Sequence, residues 1–253
     1  MLLKLENIAK MWSKKIVLKD ISFAVEEGEF ISLLGPSGSG KTTLLRLIVG
    51  LDYPDEGKIF LKEKLISSPV YLFPPQKRKI GMVFQDLCLW PHMNVEEQIL
   101  FALTCPKHAR KEKLNYFLNN FELQEHRKKF PFQLSGGEKQ RLALARTLAT
   151  EPEILLLDEP LANLDLDLKI GIQKLILKLQ RETKITVVYV THDQIEALML
   201  AERIILLNQG KIEQIDTPYN LSNSPQTEFV RKFIRFDFSL IEELKGKLLR
   251  GDN

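Results

Sequence analysis

The sequence predicts an α/β chain built on a mainly parallel sheet, with an antiparallel β segment at the amino end and a helical insertion in the middle. Phe30 to Leu34 is apolar almost throughout, which suits a strand buried on both faces, and it runs through a glycine-rich turn into the apolar-periodic segment Thr42 to Val49. Similar apolar runs recur at Ile80 to Phe84, Ile154 to Leu157 and Ile185 to Val190, spaced widely enough for crossover helices. Between about Asp86 and Ala149 the strand pattern disappears and helical periodicity replaces it.

The elements follow in order. Ile21, Phe23 and Val25 alternate with smaller or polar residues before the turn Glu26-Glu27-Gly28, which reads as short strands. Lys58 to Leu61 joins the strand candidates of the mainly parallel sheet. Helical patterning covers Val95 to Leu103 and Lys111 to Phe121. After Gly210 one further strand is expected over Lys211 to Ile215, then Pro218 and Pro225, then one helical tail carrying Phe229, Phe233, Ile234, Ile241, Leu244 and Leu248. The expected organisation is an α/β core from 1–85 with 150–220, a helical subdomain over 86–149, and a tail over 221–253.

With 44% hydrophobic residues in 253, the chain can bury a sizeable core. Its net charge of +3 arises from 36 basic and 33 acidic residues, too mild a bias to argue for nucleic acid. Lys4 and Glu6 interrupt the amino terminus, so no export signal is expected. No apolar stretch approaches the ~20 residues needed to cross a bilayer, so a membrane role must come through a partner. Cys88 and Cys105 lack zinc-ligand spacing and are expected to be reduced thiols of a cytosolic protein.

Gly35-Pro36-Ser37-Gly38-Ser39-Gly40-Lys41-Thr42 fits G-x-x-x-x-G-K-[ST] in the strand-to-helix context that motif requires. Close approach of backbone N–H groups to phosphate needs unobstructed glycines, and the following helix presents its positive end. These residues with Thr43 are the expected ATP contacts: Lys41 counters the β and γ phosphates, and the Thr42 hydroxyl is a Mg²⁺ ligand. Ile154 to Leu157 ends in Asp158 and Glu159, at the strand end where open α/β sheets gather ligands. Asp158 suits the Mg²⁺ carboxylate and Glu159 the base that orients or deprotonates the attacking water; a solvated strand end is the bland alternative.

Leu134-Ser135-Gly136-Gly137-Glu138-Lys139-Gln140-Arg141 contains S-x-x-E, which by itself is a helix capping box, with glycines that leave first-turn N–H groups open to an anion. Placed between a phosphate loop and an acidic strand end, this segment resembles the signature of ABC ATPases, and the resemblance covers nearly the whole chain. The resemblance implies a P-loop NTPase core and a head-to-tail dimer, a homodimer or a pairing with a related ATPase subunit. Each ATP then lies between one subunit's phosphate loop and the other's Ser135, Gly136 and Gly137. It further implies that Trp12 stacks on adenine, that Gln85 contacts Mg²⁺ and the attacking water, that Asp165 communicates between sites, and that His192 contacts the γ-phosphate. Read without the family, these are a half-buried strand tryptophan, a surface glutamine, a helix-start aspartate and a surface histidine.

Leu89-Trp90-Pro91-His92-Met93-Asn94-Val95, Thr191-His-Asp-Gln-Ile-Glu-Ala197 and Gln214-Ile-Asp-Thr-Pro218 are similar to importer ATPases of the maltose, polyamine and ferric-ion type. That group implies transmembrane permease subunits, an external substrate-binding protein and a place at the cytoplasmic face of the membrane. Leu87, Leu89 and Trp90 either receive a permease helix or belong to the helical core. Maltose-type subunits usually continue into a regulatory barrel, whereas this sequence ends at Asn253, so regulation by such a domain is not expected. A soluble ABC-type machine on DNA or ribosomes is the rival reading, against which stand the compact single cassette and the mild charge. A nucleotide-dependent module without turnover is a third, disfavoured by Asp158, Glu159 and His192.

Overall fold

The computed structural model describes residues 1–162, 164–235 and 238–250, with the last helix's side chains described for 239–246. In chain order it runs β1 (Leu3–Trp12), β2 (Lys15–Val25), β3 (Phe30–Leu34), α1 (Lys41–Val49), β4 (Glu56–Leu61), β5 (Lys64–Ser68), β6 (Tyr71–Leu72) and β7 (Ile80–Val83). Helices α2 (Val95–Ala102), α3 (Arg110–Asn120) and α4 (Gly136–Leu148) follow. Next come β8 (Ile154–Asp158), α5 (Leu166–Thr183), β9 (Thr186–Thr191), α6 (Gln194–Leu200), β10 (Arg203–Asn208) and β11 (Lys211–Asp216). The chain closes with α7 (Pro218–Asn223), α8 (Glu228–Phe233) and α9 (Phe238–Arg250).

Two sheets organise these elements. One is antiparallel, in the order β2-β1-β4-β5-β6, with Leu3 paired to both Val25 and Leu61. The other has the order β11-β10-β3-β9-β8-β7, parallel throughout except for β11 at its edge. Every residue of β3, β8 and β9 is buried, because this sheet is covered on both faces. Alternation along the strands separates two cores. Ile31, Leu33, Ile154, Leu156, Val188 and Val190 face the antiparallel sheet and α1; Phe30, Leu34, Leu155, Leu157, Val187 and Tyr189 face α4, α5 and α6. The second core continues into Val95, Ile99, Leu114 and Phe117 of α2 and α3, so the helical segment is packed onto the sheet.

This topology lays the carboxyl ends of β3, β9, β8 and β7 side by side, the edge where ligands bind in open α/β sheets. The turn between β10 and β11 clamps the region: Lys19 N–H donates to Gly210 O at 2.8 Å and Gly210 N–H to Ser39 O at 3.2 Å.

Several expectations change in detail. Lys58 to Leu61 is a strand, but it pairs antiparallel with β1 and β5 in the smaller sheet. β5, buried over Ile66 to Ser68, and β6, a two-residue exposed strand at the sheet edge, are short, carry no clear period and were not anticipated. Among the described residues the tail forms three helices, α7, α8 and α9, broken at Ser224 and Ile234, where the backbone leaves helical geometry. Val230 and Ile241 are buried in it, while Phe229, Phe233 and Leu244 are only partly buried against the core. Leu248 lies outside the described side chains. Among the described residues no helix is long and apolar enough to cross a membrane.

Candidate functional site

The loop between β3 and α1 is a glycine-dependent turn. Gly40, the residue before α1, has φ +102°, and a Cβ there would sit 2.6 Å from Leu18 Cδ2, so a side chain is excluded by backbone angle and by space. The first helical bond of α1 runs from Leu44 N–H to Gly40 O at 2.9 Å, which leaves the preceding N–H groups without helical acceptors. Lys41 Nζ donates to Gly35 O at 2.7 Å and Pro36 O at 3.0 Å, folding back onto the loop. Burial lowers the pKa of this ammonium, while Glu159 and Asp158 act to raise it. Ser39 Oγ is buried without a hydrogen-bond partner among the described residues. A buried cation and an unmet hydroxyl beside open N–H groups fit an incoming anion.

Across the sheet edge, Thr42 Oγ1 donates to Asp158 Oδ1 at 3.1 Å. Burial pushes the Asp158 carboxyl above its ordinary value, and the bond from Thr42 works the other way. A hydroxyl and a carboxylate are hard oxygen donors of the kind Mg²⁺ takes. Among the described residues no three His, Cys, Asp or Glu side chains cluster as a metal site, so these two donors fit an ion completed by phosphate oxygens and water. Gln85 is exposed two residues beyond β7, on the same sheet edge.

Glu159 follows β8 with φ +46°, anchored by its N–H donating to Val190 O at 3.0 Å. Its Oε2 lies 3.2 Å from His192 Nδ1, and the histidine side chain is 56% exposed against 19% for the glutamate. Glu159 lines two polar cavities. One, about 210 Å³, is formed with Val17, Ser37, Gly38 and Gly40 through Thr43. The other, about 180 Å³, is formed with Ala162, Lys169, Thr191, His192, Asp193 and Glu196. A larger cavity of about 650 Å³, lined by Tyr116, Leu148, Pro152 and Ile185, lies toward the amino ends of β8 and β9, the opposite edge. Its apolar walls carry none of the loop chemistry, so size does not locate the site here.

The remaining predicted residues are placed apart. Trp12 ends β1 at 46% exposure with Lys10 Nζ 4.9 Å from its ring centroid, in the hairpin whose Val17 lines the loop cavity. Ser135 caps α4: it accepts from Glu138 N–H at 3.3 Å, and Glu138 Oε2 accepts from Ser135 N–H at 2.7 Å. Gly136 is exposed, whereas Gly137 is buried, and a Cβ on it would come 2.8 Å from Leu168 Cδ2. Close packing against α5 is thus a second reason for glycine there. Asp165 caps α5, accepting from Leu168 N–H at 2.9 Å. None of Ser135, Gly136, Gly137 or Asp165 lines either polar cavity. Lys169, Tyr189 and Glu196 bond behind His192 and were not among the expected site residues: Glu196 stands in the 191–197 run but no role was assigned to it, and Lys169 and Tyr189 are an isolated helix lysine and a strand tyrosine.

A phosphate-type loop, a buried carboxylate on its threonine and a glutamate–histidine pair on one sheet edge define a P-loop nucleoside-triphosphatase. The family model described as ABC transporter matches residues 18–162. The chain is 42% identical over 236 residues, 92% of its length and 71% of the relative's, to the spermidine/putrescine import ATP-binding protein PotA of Bacillus thuringiensis (strain Al Hakam). It is 39% identical over 251 residues, 98% of its length and 67% of the relative's, to the Fe(3+) ions import ATP-binding protein FbpC of Fusobacterium nucleatum. Among solved structures it resembles the dimeric post-hydrolysis state of the ATP-binding cassette MJ0796 bound to ADP and Pi, with TM-score 0.74, 35% identity, and 85% of this chain and 98% of that one covered. It also resembles cbiO1 of Clostridium perfringens, with TM-score 0.79, 27% identity, and 88% and 91% covered. The chain belongs to the ABC transporter family, as an ATP-binding subunit of the ATP-hydrolysing kind.

Proposed function

We propose that this chain is the energy-converting subunit of an importer, working as a homodimer or with a related ATPase subunit on transmembrane permease subunits at the cytoplasmic face of the membrane. An external binding protein delivers the solute, and nucleic acid is not a partner. The observation that carries this is Glu159, which lines the cavity of the Lys41 loop while standing 3.2 Å from His192. In this reading Lys41 exchanges the carbonyls of Gly35 and Pro36 for β- and γ-phosphate oxygens. The loop from Gly35 through Thr43 supplies N–H donors, and Trp12 stacks on the base. Glu159 orients or deprotonates the attacking water, and His192 holds the glutamate and meets the γ-phosphate. Thr42, Asp158 and Gln85 hold Mg²⁺, which neutralises phosphate charge when bound.

Ser135, Gly136 and Gly137 serve the partner's nucleotide, and Asp165 lies between the two sites. Their position outside both polar cavities supports that division of labour. Residues 1–85 with 150–220 act as the nucleotide-binding core, 86–149 as the helical arm and 221–253 as a tail. The permease docks near Trp90 and Phe101, whose rings meet edge to face at 5.0 Å with Phe101 67% exposed. Leu87 and Leu89 contribute less, since both pack on the core. The resemblance to two import ATP-binding proteins supports the direction.

The test is to isolate Glu159→Gln protein with ATP and Mg²⁺ from native membranes in mild detergent and identify its companions by mass spectrometry. A polytopic permease is expected. Ribosomal or DNA-associated companions would overturn the transport reading and leave the ATPase reading intact.

A further inference from the structure

We infer that Glu196 is a positioning residue for His192, holding the switch in place and tying it to the first turn of α5; this rests on the reading of His192 given above. Glu196 is 5% exposed, in the first turn of α6. Its Oε2 accepts from Tyr189 Oη at 2.9 Å and from Thr191 Oγ1 at 2.8 Å, and its Oε1 lies 3.3 Å from Lys169 Nζ. A carboxylate buried this deeply persists only when its lone pairs are met, and here two hydroxyls and an ammonium meet them. Tyr189 is fully buried, and burial first, then the carboxylate, raises its pKa well above the ordinary value, so its hydroxyl stays a donor.

The consequence falls on His192 because both of its neighbours are committed. Thr191 Oγ1 donates to Glu196 and accepts from Asp193 N–H at 2.9 Å, and Asp193 Oδ1 accepts from Ile195 and Glu196 N–H. The histidine is the side chain of this clamped turn that reaches outward, to Glu159. On the far side, Lys169 N–H donates to Asp165 O at 3.0 Å, and Leu168 beside it packs on Gly137. One carboxylate therefore ties the histidine turn to the helix start that touches both Asp165 and α4. A salt bridge holding α5 to α6 would explain Lys169 alone; it does not explain two hydroxyl donors from the strand that delivers His192.

The chain contains four histidines, so ¹³Cε1-histidine labelling of the full-length protein reads His192 with His92, His108 and His126 as internal controls. In Glu196→Gln the amide must turn its NH₂ toward Lys169 or toward the hydroxyls, and the network breaks. The His192 resonance is expected to move while the other three stay. ATPase kcat should fall about tenfold with KM for ATP unchanged, the pattern of an interaction used after binding. Thr191→Val should do the same and Thr191→Ser should not. An unmoved His192 resonance together with unchanged kcat overturns the inference. If all four resonances move, the fold is damaged and Lys169→Met decides by the same two readings. If the resonance moves but neither Glu196→Gln nor His192→Ala lowers kcat, the role of His192 fails while the positioning stands.

Discussion

Arg78→Met replaces a fully buried guanidinium by an apolar side chain that reaches only as far as the position of Nε. Arg78 is 1% exposed and makes no ion pair with a carboxylate among the described residues; instead Nε donates to Phe73 O at 2.9 Å, Nη1 to Leu47 O at 3.2 Å and Ile48 O at 2.8 Å, and Nη2 to Ile66 O at 2.8 Å. Two of those carbonyls end α1, whose last residues have no further helical donors. Four charge-assisted bonds at about 1.5 kcal/mol each give a gross loss of about 6 kcal/mol. Opposing this, burial holds the group at about 10 against an ordinary 12.5. That gap is worth about 3 kcal/mol at about 1.4 kcal/mol per pH decade, and methionine is spared it. The net loss is about 3 kcal/mol, or a fall in Tm of about 6–12 °C for a chain of this size. Below pH 9 the guanidinium is charged in both states, so the loss should be flat with pH there. Thermal and urea unfolding followed by fluorescence would measure it. Arg78→Lys keeps the charge but lacks the fork, and should do no better than methionine. A methionine variant within about 2 °C of wild type would refute the reasoning, because desolvation would then cancel all four bonds. The neighbouring Gly50 corroborates the fit: at φ +88°, a Cβ there would lie 2.4 Å from Arg78 Cζ.

Lys41→Ala should lose nucleotide binding, and an ATP affinity equal to wild type by calorimetry would contradict the loop's role. Glu159→Gln should turn over ATP at least about a hundredfold more slowly, in keeping with loss of a general base, while trapping an ATP-bound dimer visible by size-exclusion chromatography; near-wild-type hydrolysis would remove Glu159 from the mechanism. Glu96 accepts from Arg127 Nε at 2.8 Å and from Lys128 Nζ at 2.7 Å, and those bonds, Arg127 first, hold its carboxyl at about 2 against an ordinary 4.5. A depressed folded value means the stabilisation is complete above the unfolded value and is lost as pH falls through the folded one. Glu96→Gln should therefore cost about 1 kcal/mol near neutral pH, limited by the solvent exposure of its partners, and converge with wild type between pH 4.5 and 2; a gap that persists undiminished to the low end in urea titrations would contradict this pairing.

The buried strands were legible because β3, β8 and β9 are apolar at nearly every position, which leaves one environment open to them. The loop was legible because Gly40 and Lys41 are imposed locally, by backbone angle and by spacing. The antiparallel membership of β4 was not, since its six residues suit either kind of sheet and the choice is made by pairing with β1. Arg78 was missed for a related reason: a lone arginine after a proline-rich stretch reads as surface, and the four carbonyls that justify burying it come from three separate segments.

Loop spacing, capping boxes and apolar runs are local physics, so the residues proposed for the site, and the order in which the chain supplies them, are readable along the chain. Only tertiary structure decided which groups meet. Glu159 and His192 stand 3.2 Å apart because β8 and β9 are neighbours, and Thr42 reaches Asp158 across the strand between them. Glu196 becomes a buried acceptor only once Tyr189, Thr191 and Lys169 converge on it from a strand and a second helix. Burial and partnership are properties of neighbours distant along the chain, and no local pattern encodes them.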